Sequence, residues 1–224
     1  MTEDRGTLLV IAVLGGTGKE GSGLAMRWAL NGYQVIIGSR DAERALKRAA
    51  EINKELGGDY LSGMANSEAA ESADLVVLSV PYSAHKATLE GVKKHLEGKV
   101  LIDLTVPLEP SKVRRVHIPE GQSAALEAQA LLGEKVKVVA AFQNVSAEMF
   151  GKPDEPIDCD VLICGNDPDS REHAVKLAEA AGMRGIHAGQ LQNAIAVEAL
   201  TPVLLFINNK YGIKHSGIRI TGID

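Results

Sequence analysis

The sequence is poor in the residues that announce secretion, metal chelation or membrane residence. Only two cysteines, Cys159 and Cys164, occur in 224 residues. They lie in "CDVLICG" and would point to opposite faces of a strand. They therefore imply neither a disulfide framework nor a metal site, and they suit a reduced cytoplasm. Basic blocks are absent too. The 24 lysines and arginines are scattered and the net charge is −5, which leaves no electrostatic footprint for nucleic acid or an anionic membrane. The opening "MTEDRGT" is polar, and the apolar run Leu8 to Leu14 stops at glycine too early for a secretory signal or a membrane span. The most apolar later stretch, "AIAVEALTPVLLFIN", holds Glu198 and Pro202, is too short to cross a bilayer, and is expected to be a buried helix. Also missing are a Ser-His-Asp or Cys-His arrangement, His-rich metal spacing and a carboxylate pair in an obvious site.

What remains is an ordinary soluble composition, 45% apolar and 24% charged, on a chain long enough for one large domain or a medium one with a small companion. Apolar runs of strand length alternate with helical segments. "LLVIAVL" leads to a helix over 20–30, "QVIIG" to one over 42–56, and "DLVVLSV" to one over 83–96. "KVLIDLT" precedes a loop with Pro107 and Pro110; "SAALEAQAL" reads as a helix, and "KVKVVAAF" and "DVLICG" as strands. Continuous apolar strands between helices predict a parallel sheet covered on both faces, hence a Rossmann-type doubly wound α/β fold. "GKPDEPIDCD" reads as a surface connection, followed by helices over 169–181 and 193–209. The expected layout is a dinucleotide-binding domain over 1–145 and a small, mainly helical domain over 146–224 that closes a cleft. The last helix is apolar nearly all round and must be covered, by its own chain or by a second copy in a homodimer.

Between the first strand and the first helix stands Gly16-Thr17-Gly18-Lys19-Glu20-Gly21, a G-x-G-x-x-G turn in its proper context. Gly16 is expected to permit the tight turn, Gly18 to admit a pyrophosphate, and Gly21 to let helix and strand pack closely. Free N–H groups and the helix dipole would meet the phosphates. At the end of the second strand an NAD site places a carboxylate; here the order is Gly38-Ser39-Arg40, and Asp41 opens the next helix instead. A hydroxyl and a planar guanidinium suit a 2′-phosphate, and Arg44, one helical turn on, faces the same anion. The predicted ligand is NADP(H).

These motifs carry a family likeness. "VLGGTGKEGSGLA", "IIGSRDAERA", "ADLVVLSVPY", "CGND", "EALTPVLLFIN" and the ending "SGIRI" together resemble the NADPH-dependent reductases of coenzyme F420, also called F420-dependent NADP oxidoreductases, over nearly the whole chain. The resemblance implies hydride transfer between NADP(H) and the deazaflavin F420 as co-substrate, with no catalytic side chain required. It implies that Thr17, Gly18, Lys19 and Glu20 hold the pyrophosphate and that Ser39, Arg40 and Arg44 hold the 2′-phosphate. Val80, Pro81 and Val106 would border the nicotinamide or ribose, and Ala141 to Ala147 would line the deazaflavin side.

The chain departs from the family around "FQNVSAEMF", where Gln143 stands in place of a histidine, and at Tyr82, where a tryptophan is common. Gln143, Asn144 and Val145, at a strand's carboxyl end, are candidate substrate contacts, the amides by hydrogen bonding. Asp103 is expected to pair with backbone amides, and His85 to be a surface or helix-start residue. Two alternatives keep the NADP site: a reductase of another small acceptor (an imine, keto group, flavin or metal chelate), or a non-catalytic NADP sensor.

Overall fold

The computed structural model describes residues 9–151, 153 and 155–223. Leu8 of the expected first strand and Lys152 and Asp154 of the expected connection lie outside the described residues, as does the polar opening. The chain runs β1 (Val10–Leu14), α1 (Lys19–Leu30), β2 (Gln34–Ser39), α2 (Ala42–Leu56), β3 (Leu61–Ala65), α3 (Asn66–Ser72), β4 (Leu75–Leu78) and α4 (Tyr82–Val92). It continues through β5 (Val100–Asp103), α5 (Ala124–Leu132), β6 (Lys137–Ala140), β7 (Asp160–Gly165), α6 (Pro168–Ala180), β8 (Arg184–His187) and α7 (Ala194–Tyr211).

One eight-stranded sheet results, in the order β3-β2-β1-β4-β5-β6-β7-β8. Every neighbouring pair is parallel except β6 with β7. The strands are apolar without alternation because both faces are covered. Ile11 and Val13 of β1 enter a core shared with α1, α2 and α6, whereas Ala12 and Leu14 enter one shared with α3, α4, α5 and the start of α7. Cys159 belongs to the first core and Cys164 to the second, and both are free thiols. The chain order reverses between β1 and β4, which opens a crevice at the strands' carboxyl ends.

The sheet and both cores continue past residue 145: β7 and β8 extend the sheet, and α6 packs beneath it. Three short elements, β3, α3 and β8, escape the hydrophobic pattern. β3 ("LSGMA") and β8 ("RGIH") each hold a glycine and no continuous apolar run. In β3 the glycine is required, since a Cβ on Gly63 would sit 2.4 Å from the Ala45 backbone of α2.

The expectation that the last helix is buried and too short to cross a bilayer is corrected. With the 3-10 turn Leu191–Asn193 running into it, this segment is long and apolar enough, by length and composition, to cross a membrane. Only one edge of α7 (Ala194, Val197, Glu198 and Pro202) is buried, while Val203, Phe206 and Tyr211 are exposed.

The end of the chain is tied back by one buried carboxylate. Asp160 accepts from Arg184 Nε and Nη2 at 2.9 and 2.8 Å and from the Ile220 amide at 2.6 Å. Arg184 also donates to the carbonyls of Ile220 and Ile223. The Arg184 hydrogen bond holds the Asp160 carboxyl below its usual range. Its contribution is therefore complete above about pH 4 and is lost as pH falls through the lowered value. Asp160→Asn should cost about 1.5–3 kcal/mol in urea unfolding near neutral pH, and the deficit should shrink in acid. A deficit independent of pH would exclude this ion pair as its cause.

Candidate nucleotide and hydride-transfer site

The glycine turn sits at the crevice. Gly15, not Gly16, makes the tight turn: its φ is +73°, and a Cβ there would lie 2.4 Å from the Ser79 carbonyl oxygen and 2.5 Å from Val80. Gly16 is required for a different reason, because a Cβ on it would lie 2.6 Å from the Val13 carbonyl oxygen. Its N–H lies 3.0 Å from both the Val13 and Gly38 carbonyls, which ties the turn to β1 and β2. Gly21 packs α1 onto the end of β4, with Ser79 3.2 Å from the place of a Cβ. Gly18 is different. It is exposed, and its nearest neighbour would be the Gly15 oxygen at 3.6 Å. It precedes α1 without any side-chain cap, so the first N–H groups of the helix face the crevice without a side-chain acceptor.

Thr17 is half-buried beside it. The Lys19 ammonium lies 2.5 Å from the Glu148 carboxylate in the 3-10 turn Ala147–Gly151, with both side chains more than half exposed. Glu20 is half-buried in the first turn of α1, and desolvation pushes its carboxyl up to about 8.

At the tip of β2 the Ser39 hydroxyl accepts from the Asp41 amide at 3.2 Å. The Asp41 carboxylate accepts from the Glu43 and Arg44 amides, so it caps α2 and is spent there. Arg40 and Arg44 are exposed, and among the described residues neither guanidinium has an ion pair. Ser39, Arg40 and Pro81 share a cavity of about 530 Å³ with Asn66, Ser67 and the α4 residues Ser83, Ala84, Ala87 and Thr88. Asn66 escaped the sequence reading, although a small polar pair directly after a strand beside β2 was a usable signal. Its Oδ1 accepts from the Gly15 amide at 3.4 Å, linking the cavity to the turn.

A second cavity, of about 340 Å³, lies where the acceptor was expected. Gln143, Asn144, Val145, Ala147 and Glu148 line it with Leu108, Thr201, Leu204, Asn208 and Lys214. One expected contact needs correction. Ala141 is fully buried, so its side chain belongs to the core. Asn144 lines the cavity with its amide already engaged: its Nδ2 donates to the Asp160 carbonyl at 2.6 Å and its Oδ1 accepts from the Leu162 amide. A strand-end amide buried between β6 and β7 satisfies the backbone before any ligand. Gln143 keeps an open valence, with Oε1 buried and unpaired. The half-buried Val106 lies on the loop after β5, and Val80 packs over the glycine turn.

His85 is also corrected. It is 2% exposed, because the first turn of α4 turns it inward onto Asp103, with Nε2 to Oδ2 at 2.7 Å. Asp103 accepts from the Thr105 amide as well, as expected. Glu198 of α7 accepts from the Ala124 and Ala125 amides at the start of α5, and burial pushes its carboxyl up to about 8. Among the described residues no cluster of His, Cys, Asp or Glu could hold a metal.

A doubly wound sheet with an uncapped glycine turn at its switch point defines an NAD(P)-binding α/β oxidoreductase of the Rossmann type. Residues 10–107 match the model of the NADP oxidoreductases that are coenzyme F420-dependent. The chain is 43% identical over 223 residues to the F420-dependent NADP reductase of Methanothermobacter thermautotrophicus, covering 96% of both. It is 42% identical over 222 residues to that of Methanocaldococcus jannaschii, covering 96% and 99%. A crystal structure of a provisionally assigned F420 dependent NADP-reductase from Arthrobacter sp. FB24 superposes with a TM-score of 0.78 at 27% identity, over 94% of this chain and 98% of that one. The chain belongs to the F420-dependent NADP oxidoreductase family.

The contrast among the glycines is testable. Gly18→Ala should cost less than about 1 kcal/mol of stability, since its Cβ finds room, yet weaken NADPH at least about tenfold by standing in the phosphates' path. Fluorescence titration and thermal melting measure the two effects; unchanged NADPH affinity would mean the phosphates lie elsewhere.

Proposed function

We propose that this protein transfers a hydride between NADPH and the deazaflavin F420 across the β1/β4 crevice. Its end-to-end kinship with reductases of that activity carries the reading. The nicotinamide supplies the hydride and the deazaflavin ring receives it together with a proton. The protein's part is placement and exclusion of water, because transfer between two redox rings calls for no side-chain acid or base.

Gly18 and the start of α1 hold the pyrophosphate through backbone N–H groups, aided by Thr17 and Lys19. In this reading Lys19 exchanges Glu148 for phosphate, a small cost because exposed ion pairs contribute about 0–1 kcal/mol. Ser39, Arg40 and Arg44 hold the 2′-phosphate, with Asn66 and Ser67 completing the cavity. Val80, Pro81 and Val106 border the nicotinamide. The deazaflavin lies toward Gln143, Val145 and Ala147, and α7 with the chain that follows it closes over it. The exposed apolar face of α7 supports a homodimer, and the two buried free thiols support a cytoplasmic protein.

Loss of the deazaflavin absorbance on mixing with NADPH tests the activity directly; tight NADPH binding with no loss would point to another acceptor or a sensor. Arg40→Ala should weaken NADPH about ten- to a hundredfold, as befits a lost charge-assisted contact, and leave NADH unchanged. Equal effects on both nucleotides would refute the 2′-phosphate role. For the dimer, Phe206→Glu should convert a two-chain mass to a one-chain mass in light scattering; a wild-type monomer at micromolar concentration would remove the proposal.

A further inference from the structure

Asp103, at the carboxyl end of β5, uses three oxygens in three directions. Oδ2 meets His85 Nε2 at 2.7 Å, Oδ1 accepts from the Thr105 amide at 2.9 Å, and the main-chain oxygen accepts from Gln143 Nε2 at 2.7 Å. The Gln143 carbonyl in turn accepts from the Thr201 hydroxyl of α7 at 2.7 Å. A carbonyl oxygen cannot donate, so the Gln143 amide has one permitted orientation. Its nitrogen is held by Asp103, and Oε1 is left buried without a donor in a residue that lines the 340 Å³ cavity. Such an acceptor costs stability unless a ligand N–H completes it.

His85 touches none of this cavity, yet the residue it holds carries both contacts: the Asp103 carboxylate accepts from the amide next to Val106, and the Asp103 main-chain oxygen orients Gln143. Asp103 on β5, Glu127 on α5 and Glu198 on α7 face the imidazole, and the Tyr82 ring lies 6.2 Å away on α4. Burial lowers the affinity of His85 for its proton, but the hydrogen bond and charge of Asp103, with Glu127 and Glu198, outweigh burial and raise it.

We propose that His85 is a positioning residue: by holding Asp103 it fixes the Gln143 carboxamide and the Val106 loop, and so aligns the acceptor ring for transfer without touching it. This rests on the deazaflavin reading of the site. Misalignment of a reacting ring by a fraction of an ångström to an ångström is enough to slow transfer while nucleotide binding stays intact.

Single-turnover reduction of F420 by NADPH and fluorescence titration of NADPH make the test. His85→Leu should slow the turnover about tenfold and leave NADPH affinity within about twofold. His85→Gln, whose amide can still donate to Asp103, should recover most of the rate. In a Gln143→Leu background the same His85→Leu change should cost less than about threefold, because the two residues act through one contact. A His85→Leu rate within about twofold of wild type, a parallel loss of NADPH affinity, no recovery by glutamine, or full additivity with Gln143→Leu would each overturn the proposal. If the leucine variant does not fold, His85→Asn, whose amide is too short to reach Asp103, takes its place with the same expectations. Wild-type protein that does not reduce F420 sinks the activity itself; an active wild type with an indifferent His85 variant sinks only the positioning role.

Discussion

The structure depends on one constraint: backbone must touch backbone where α1 leaves the sheet. A pyrophosphate is met by main-chain N–H groups only if no side chain stands between helix, strand and ligand. Gly15 folds under the Ser79 carbonyl, Gly16 lies over the Val13 carbonyl, and Gly21 brings α1 against the end of β4. Those contacts tie the turn to three adjacent strands, β2, β1 and β4. The position of the uncapped start of α1 follows from them, as does the crevice at the switch point.

The buried ionisable groups are held by the same economy of partners. Asp103, Asp160 and Glu198 are each at or near complete burial, and each accepts from backbone amides as well as from any charged neighbour. A carboxylate used in this way is a fastener. Glu198 docks α7 onto the start of α5, and Asp160 holds the chain end through Arg184. Removing one partner from such a site costs more than the bond itself, because the other is left desolvated. Hydride transfer between two redox rings needs no proton donor among them, and their partners are those of structural tethers.

The fold was legible wherever burial demanded continuous apolar residues: β1, β4 and β5 announce themselves because both of their faces are covered. β3 and β8 were not, since a five-residue strand with a central glycine and a four-residue strand ending in histidine carry no such pattern. Among the candidate residues, the glycine turn and the Ser39-Arg40-Arg44 run could be proposed from sequence because local spacing alone sets their places. Gly15 was missed in favour of Gly16, because its need for a left-handed conformation comes from the turn and its room from β4, far along the chain. The burial of His85 was missed for a related reason. A polar residue at an element's end faces either solvent or a neighbouring strand, and only the three-dimensional pairing decides which.

The arginines show how the two kinds of role separate physically. Arg27 is buried and donates to the carbonyls of Ala181 and Glu155, Arg171 donates to the Gly165 carbonyl, and Arg184 grips Asp160. Each gives up hydration on folding and turns its terminal guanidinium nitrogens onto main-chain or carboxylate oxygens. Arg40 instead remains exposed at the Ser39 cavity and Arg44 is exposed one helical turn on, while Asp41, at the strand tip, is turned away to cap α2. A guanidinium already paired with a carboxylate would have to surrender that partner before accepting a phosphate. Among the described residues neither guanidinium has an ion pair, and the capping of α2 by Asp41 keeps the nearest carboxylate from supplying one.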